Sequence, residues 1–250
     1  MTTKKIWAIG DLHLSFGVPS KQMGLLNSDW IGYEEKIEKH WREMVAPTDL
    51  VLIPGDISWA MTLEEVLPDF QWIDRLPGTK VMIKGNHDYW WGSLAKLVSK
   101  LPPSIHVIQN NAFFWEGIAI GGARLWDTAE YSFGHCVDFK ENPRERKTDP
   151  IQEDMEEKIF SRELERLRMS LKAMNPAASL KIAMTHYPPI SADLKPSRAS
   201  AILEEYGIQT VVFGHLHSLK KGAKMFGEHK EIRYILTSAD YLNFRLIQIY

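Results

Sequence analysis

Five apolar runs of strand length each end in a cluster of polar side chains, and no other feature constrains the chain as much. The runs are Ile6 to Ile9, Leu50 to Ile53, Val81 to Ile83, Ile182 to Met184 and Thr210 to Phe213. All are short, rich in Ile and Val, and bounded by Gly, Pro or Asp, which reads as buried strand and not as helix. The segments that follow them are Gly10-Asp11-Leu12-His13, Gly55-Asp56-Ile57-Ser58, Gly85-Asn86-His87-Asp88, His186 and Gly214-His215-Leu216-His217. Helical patterns lie between the runs. Tyr33 to Val45 puts Ile37, Trp41 and Met44 on one side, and Leu63 to Leu76 follows Thr62, a cap residue. Strands alternating with helices imply an α/β fold.

A second group of strands reads differently. Ile105 to Gln109, Ala112 to Trp115 and Ile118 to Gly121 are close enough for a meander, and Ile232 to Thr237 with Phe244 to Tyr250 reads as a hairpin around Ser238 to Asn243. The sheets are therefore expected to be mixed. Ser15 to Trp30 is expected to be a loop, and Trp126 to Pro150 a long polar stretch with a charge cluster at Lys140 to Lys147. Beyond it Ile151, Met155, Ile159, Leu164, Leu167 and Leu171 mark one amphipathic helix. With no internal repeat and no low-complexity linker, one domain over 1–250 is expected, with inserted segments near 15–45 and 126–175.

A formal charge of -2 creates no global positive field, so strong nucleic-acid binding is not expected and any attraction for phosphate must be local. The single cysteine, Cys136, excludes an internal disulfide and a thiolate metal cluster. No apolar stretch has the length of a membrane span, and the apolar run near the start is too short for a secretory core. A cytoplasmic enzyme with no membrane partner is the expectation.

The polar segments suggest metal chemistry, each with a plainer alternative. An extended chain sends residues two apart to the same side, so Asp11 and His13 can meet one cation; a turn or helix cap is the alternative. Gly55 allows a sharp exit that throws Asp56 beyond its strand end, where it could bridge two cations or cap a helix. Gly85 to Asp88 packs an amide, an imidazole and a carboxylate onto one turn, although a structural turn needs only the Gly-Asn part. His87 beside Asp88 reads as a proton donor with an orienting partner. His186 alone is equally a histidine satisfied at a strand end. His215 and His217, on one side of an extended segment, are a stronger metal signal.

In order and spacing these five blocks resemble the calcineurin-like metallophosphoesterase superfamily, whose pattern runs DxH, GDxx, GNHD, H and GHxH. All five are intact between Asp11 and His217. The resemblance implies a four-layer α/β/β/α sandwich of two mixed sheets flanked by helices, with a dinuclear site at the strand ends. One metal would be held by Asp11, His13, Asp56 and His217, the second by Asp56, Asn86, His186 and His215, with Asp56 as the bridge. His87 would face the phosphate and its leaving group, with Asp88 orienting it. The implied reaction is phosphate-ester hydrolysis by metal-activated hydroxide. Oxygen and nitrogen donors without sulfur suit two divalent or trivalent transition-metal ions, Mn first, then Fe, Zn or Co.

Substrate is less constrained. Trp59, Tyr89, Trp90 and Trp91 follow the blocks closely, and their rings could stack a base or sugar or simply pack the core. Arg124 could hold a substrate phosphate or form an ordinary ion pair. Arg144, Arg146 and Lys147 read as a solvated loop; His40, His106, His135 and His229 lie outside every block and are assigned no role, although His135 sits in the long loop, where a lid residue could reach the site. A phosphodiester or nucleotide-type substrate is favoured over a phosphomonoester or phosphoprotein. A non-catalytic scaffold on the same fold is the rival of another class, opposed by the complete donor set.

Overall fold

The computed structural model describes residues 4–138, 150–220, 222 and 225–250. The first sheet has the order β11-β1-β2-β3-β4, built from Ile6–Ala8 (β1), Leu50–Ile53 (β2), Thr79–Met82 (β3), Ile105–Val107 (β4) and Ile247–Gln248 (β11). Strands β1 to β4 run parallel and β11 closes the edge antiparallel to β1. The second sheet has the order β5-β6-β7-β8-β10-β9, from Phe113–Trp115 (β5), Ile118–Ala123 (β6), Leu180–Thr185 (β7), Thr210–Phe213 (β8), Gly227–His229 (β9) and Ile232–Leu236 (β10). Its four central strands are parallel and its two edge strands antiparallel.

Strand alternation assigns the two faces of each sheet. In β1, Ile6 and Ala8 enter a core layer shared with Leu52, Val81, Ile182 and Val212, which glues the sheets together. Trp7 and Ile9 point the other way, under the helices Tyr33–Met44 (α1) and Leu63–Asp74 (α2), against Ile37, Trp41, Phe70 and Ile73. On the far face of the second sheet, Ala183, Val211 and Phe213 meet Phe160, Leu164 and Leu167 of Pro150–Lys172 (α4) and Ile202 of Arg198–Glu205 (α5). A short helix, Leu94–Val98 (α3), joins the first outer layer. Helix α2 begins with a reciprocal cap between Thr62 and Glu65, as the threonine suggested. Two mixed sheets flanked by helices is the architecture expected.

Two pairings differ from expectation. β4 leaves the predicted meander and adds to β3 in parallel, while β5 and β6 form a hairpin in the other sheet. Likewise β10 pairs with β8 and β9, and β11 returns to β1, so the C-terminal runs form no hairpin with each other. β4 and β11 each fill an unpaired edge of the first sheet, a demand that local spacing does not register, while the pair joined across Glu116-Gly117 stays together as expected. The expected loop at Ser15 to Trp30 contains three single 3₁₀ turns, at Pro19–Lys21, Met23–Leu25 and Ser28–Trp30. The charged residues Arg144, Arg146 and Lys147 lie outside the described residues. Among the described residues, no helix is long and apolar enough to cross a membrane.

Candidate metal centre

The carboxyl ends of the parallel strands in both sheets face one another, and the five polar segments leave from them. Where a strand ends, the chain must turn sharply to aim a short side chain back across the sheet edge. Asp11, His13, Asp56 and His215 do this with positive φ, at 55°, 45°, 51° and 72°. L-residues avoid this region at a cost of order 1–3 kcal/mol each, and such residues persist where the surroundings over-determine them. Glycines make the close approaches possible. A Cβ on Gly85 would lie 2.1 Å from Oδ1 of Asp56, and one on Gly214 would lie 2.2 Å from Oδ2 of Asp11.

The donors gather in two halves. In one, Nε2 of His13 is 3.3 Å from Nε2 of His217, which is 3.5 Å from Oδ1 of Asp11. In the other, Oδ1 of Asn86 lies 2.6 Å from Nε2 of His186 and 3.0 Å from Nδ1 of His215. Between them, Oδ2 of Asp56 is 3.8 Å from Nε2 of His13 and 3.5 Å from Nε2 of His186. Two groups, Asp11 with His13 and His217, and Asp11 with Asp56 and His186, bring ligand atoms within 4.8 Å of one another and could each hold a metal ion.

Several contacts aim the rings and loops. Nδ1 of His186 meets the carbonyl of Pro54 at 3.0 Å, which turns Nε2 toward the centre. The Tyr33 hydroxyl donates to the carbonyl of His13 at 2.6 Å, and the Tyr187 ring lies 3.9 Å from that of His215. The amide of His215 donates to both oxygens of Asp11, and that of His87 to Oδ1 of Asp56. Asp240 was not singled out by the sequence reading: its Oδ1 is 2.9 Å from Nδ1 of His217, and its Oδ2 accepts from the amide of Ser218. A signal existed, because Asp240 follows a sixth apolar run, Ile232 to Thr237.

Burial dominates the electrostatics. It pushes Asp56 up to about 8, reinforced by the negative charge of Asp11. Burial acts the same way on Asp11 but is outweighed by His217, His186 and His13, which hold that carboxyl below its usual range. Burial also pushes His215 down to about 3 and lowers His13, His186 and His87. His217 goes the other way, since Asp11 and Asp240 overcome its burial.

The remaining predicted residues are placed less simply. The His87 ring is 4.5 Å from Trp59 and 5.7 Å from His13. Asp88 does not orient it. Its carboxylate accepts from the amides of Ile57, Ser58 and Gly85 and from the Trp90 indole, so a buried acid with four backbone and indole donors ties two loops together. Trp59 stacks on His13 at 4.9 Å, whereas Tyr89 is 58% exposed beyond His87. Trp90 and Trp91 are core residues. Arg124 does not join the donors: its guanidinium pairs with buried Glu163 at 3.2 Å and lies over Trp126. His135 offers its carbonyl to Lys220. A cavity of about 1200 Å³ opens beside His215 and His217, with Trp126, Tyr131, Phe133 and Tyr187 in its wall.

An α/β sandwich with acidic and imidazole donors converging at its strand ends is a metallophosphoesterase arrangement. Residues 4–219 match the family model described as calcineurin-like phosphoesterase, and the chain belongs to that family. Over 85 residues it is 33% identical to the Gene 66 protein of Mycobacterium phage D29, a stretch covering 33% of this chain and 40% of that protein. In fold it is similar to AQ665, a protein of unknown function from Aquifex aeolicus, with a TM-score of 0.51 and 14% identity over 98% of this chain and 96% of that one. It is also similar to TT1561 of Thermus thermophilus, with a TM-score of 0.50 and 13% identity over 99% and 98% of the two chains.

Proposed function

We propose that the chain is a dinuclear metal-dependent phosphoesterase. The observation that carries this reading is the convergence of seven oxygen and nitrogen donors, from five strand-end segments, around two buried carboxylates. The donor set fits transition cations. Asp11 and Asp56 are buried side by side, and among the described residues only histidines pair with them, so a cation is what would let both ionise. Asp11, His13, Asp56 and His217 would hold one ion, and Asp56, Asn86, His186 and His215 the other. The bridging role of Asp56 is supported by its reach to one histidine of each set. Manganese suits the mixed donors first, with iron, zinc or cobalt as alternatives. When bound, such a pair supplies Lewis-acid stabilisation of the phosphoryl charge and an acidified water.

The chain's own residues supply the remaining steps. His87, packed by Trp59, donates a proton to the departing alkoxide; burial disfavours its charge, and an anionic phosphate opposite it restores that charge. Asp88 keeps the His87 loop against the Ile57 loop, so its effect on the proton donor is indirect. The aromatic cavity beside His215 offers a surface for the alcohol portion of the ester, which favours a diester or nucleotide-type substrate over a small monoester.

The test is turnover of aryl phosphomonoester, aryl phosphodiester and nucleotide panels by the purified chain reconstituted with Mn, Fe, Co or Zn. Diester or nucleotide preference is expected. Monoester preference would move the assignment to phosphomonoesterase or protein phosphatase, and no turnover with any metal would favour a non-catalytic scaffold.

A further inference from the structure

A second cavity, of about 260 Å³, lies where the ends of β3 and β6 meet the middle of α4, and it shares no wall residue with the large one. Lys84, Arg124, Arg162, Arg166, Glu163 and Trp91 line it. Four cations thus face one carboxylate. Glu163 is buried and bonds to both Arg124, at 3.2 Å, and Arg166, at 2.6 Å, which fixes two guanidinium groups without neutralising both. Neither Lys84 nor Arg162 has a carboxylate within 4.0 Å among the described residues. On the same helix Lys158 and Arg168 do, pairing with Asp154 and Glu205.

Like charges four residues apart on a helix repel, and Arg162 and Arg166 stand in that relation toward one cavity. The Nε of Arg124 is shielded from solvent and has no hydrogen-bond partner. Unspent donors and surplus positive charge around a concave wall call for an anion. Guanidinium forks match phosphate geometry, and the volume suits a phosphoryl group better than a whole nucleotide.

We propose that this cavity is a phosphate-binding site separate from the candidate metal centre. It takes one phosphoryl group, either as a second phosphate of the substrate or as a free ion. The site is mechanically close to the centre. Lys84 precedes Gly85 and Asn86 directly, and the carbonyl of Arg124 accepts from the amides of His186 at 3.1 Å and Tyr187 at 2.9 Å. A bound phosphate therefore tightens the two segments that carry Asn86 and His186.

Calorimetric titration of inorganic phosphate into the as-purified full chain tests this. The Lys84→Gln/Arg162→Gln double variant is expected to bind at this site at least roughly tenfold more weakly. Asp56→Asn, which alters the metal centre, is expected to retain it. Unchanged phosphate binding in the double variant overturns the proposal, as does complete loss of binding in Asp56→Asn. Arg162→Gln alone, on the exposed face of α4, keeps the test open if the double variant misfolds: with a melting curve like wild type it is expected to weaken phosphate binding severalfold, and unchanged binding in it overturns the proposal. The source is read from KM. A rise confined to aryl esters bearing a second phosphate identifies the substrate's own group. An unchanged KM with a shifted response to added phosphate identifies a free ion. Phosphate held here by a chain that turns over no ester leaves this site standing and removes the phosphoesterase reading.

Discussion

The two ends of the first sheet handle buried polarity in opposite ways. At the amino ends of β2 and β3, Asp49 accepts from the amides of Lys5 and Ala46 and from the Trp7 indole, while buried Lys80 donates to the carbonyls of Leu76 and Asp74 and to the Ser104 hydroxyl. Asp74 accepts from that same serine. Each group finds its partner within the chain, and none of these residues has a positive φ. At the carboxyl ends the donors point at one another, Asp11, His13 and Asp56 are held at positive φ, and Nδ1 of His13 has no partner. A buried charge is therefore a weak marker of function. Buried charge that the fold strains to hold and leaves unmatched is a strong one.

This contrast can be broken from the strained end first. Asp56→Asn is expected to lose at least one metal ion per chain and on the order of a thousandfold in turnover, the several kcal/mol of charge stabilisation that such an ion supplies. A metal content still at two per chain would falsify the bridging assignment. His87→Ala should keep both ions and lose roughly 100- to 10,000-fold in turnover with a poor leaving group, less with a good one. Equal losses for both leaving groups would remove His87 as proton donor. Asp240→Asn is expected to weaken metal affinity by roughly 10- to 100-fold through the His217 ring, read by competitive chelator titration.

The orderly end should give the smallest effect on activity and a measurable one on stability. Burial lowers Lys80 to about 8, against an ordinary value of 10.5. The folded chain thus disfavours the proton, and the penalty is full below about 8 and lifts as pH rises toward 10.5. Relative to Lys80→Met, wild type should gain up to about 3 kcal/mol of unfolding free energy across that window, with turnover per folded molecule unchanged. A difference that is flat with pH would mean Lys80 is charged at no penalty.

Much of this was legible in the sequence because local patterns carried it. The short apolar runs Ile6 to Ile9 and Leu50 to Ile53, bounded by Gly, Pro or Asp, marked strands, and the spacing of Ile37 and Trp41 marked α1. The candidate donors were visible as Asp, Asn and His at strand exits. What stayed hidden were relations between distant segments. Nothing local tells that Ile105 and Phe113 belong to different sheets, or that Asp88 spends its oxygens on Ile57 and Ser58, thirty-one and thirty positions away. Asp240 was missed for the same reason, since its meaning comes only from His217 lying beside it. Gly85 read as a turn residue and Gly214 carried no reading of its own, whereas the carboxylates resting on both leave no room for a side chain.

The closing of the first sheet by β11 has a consequence for how the molecule is made. Strand β1 leaves the ribosome long before β11, yet its outer edge is paired by Ile247 and Gln248, Ile6 is bonded to Ile249 and Tyr250, and Gly10 is bridged to Ser238. A nascent chain that has reached Phe213 carries Asp11, His13, Asp56, Asn86 and His186, but neither imidazole of the last block nor the aspartate behind it. Until those later segments have been made, β1 has an open flank and the donor set is incomplete. Assembly of the candidate centre thereby waits on the late segments from His215 to Asp240, and a chain cut short before His215 would lack two of the seven candidate donors.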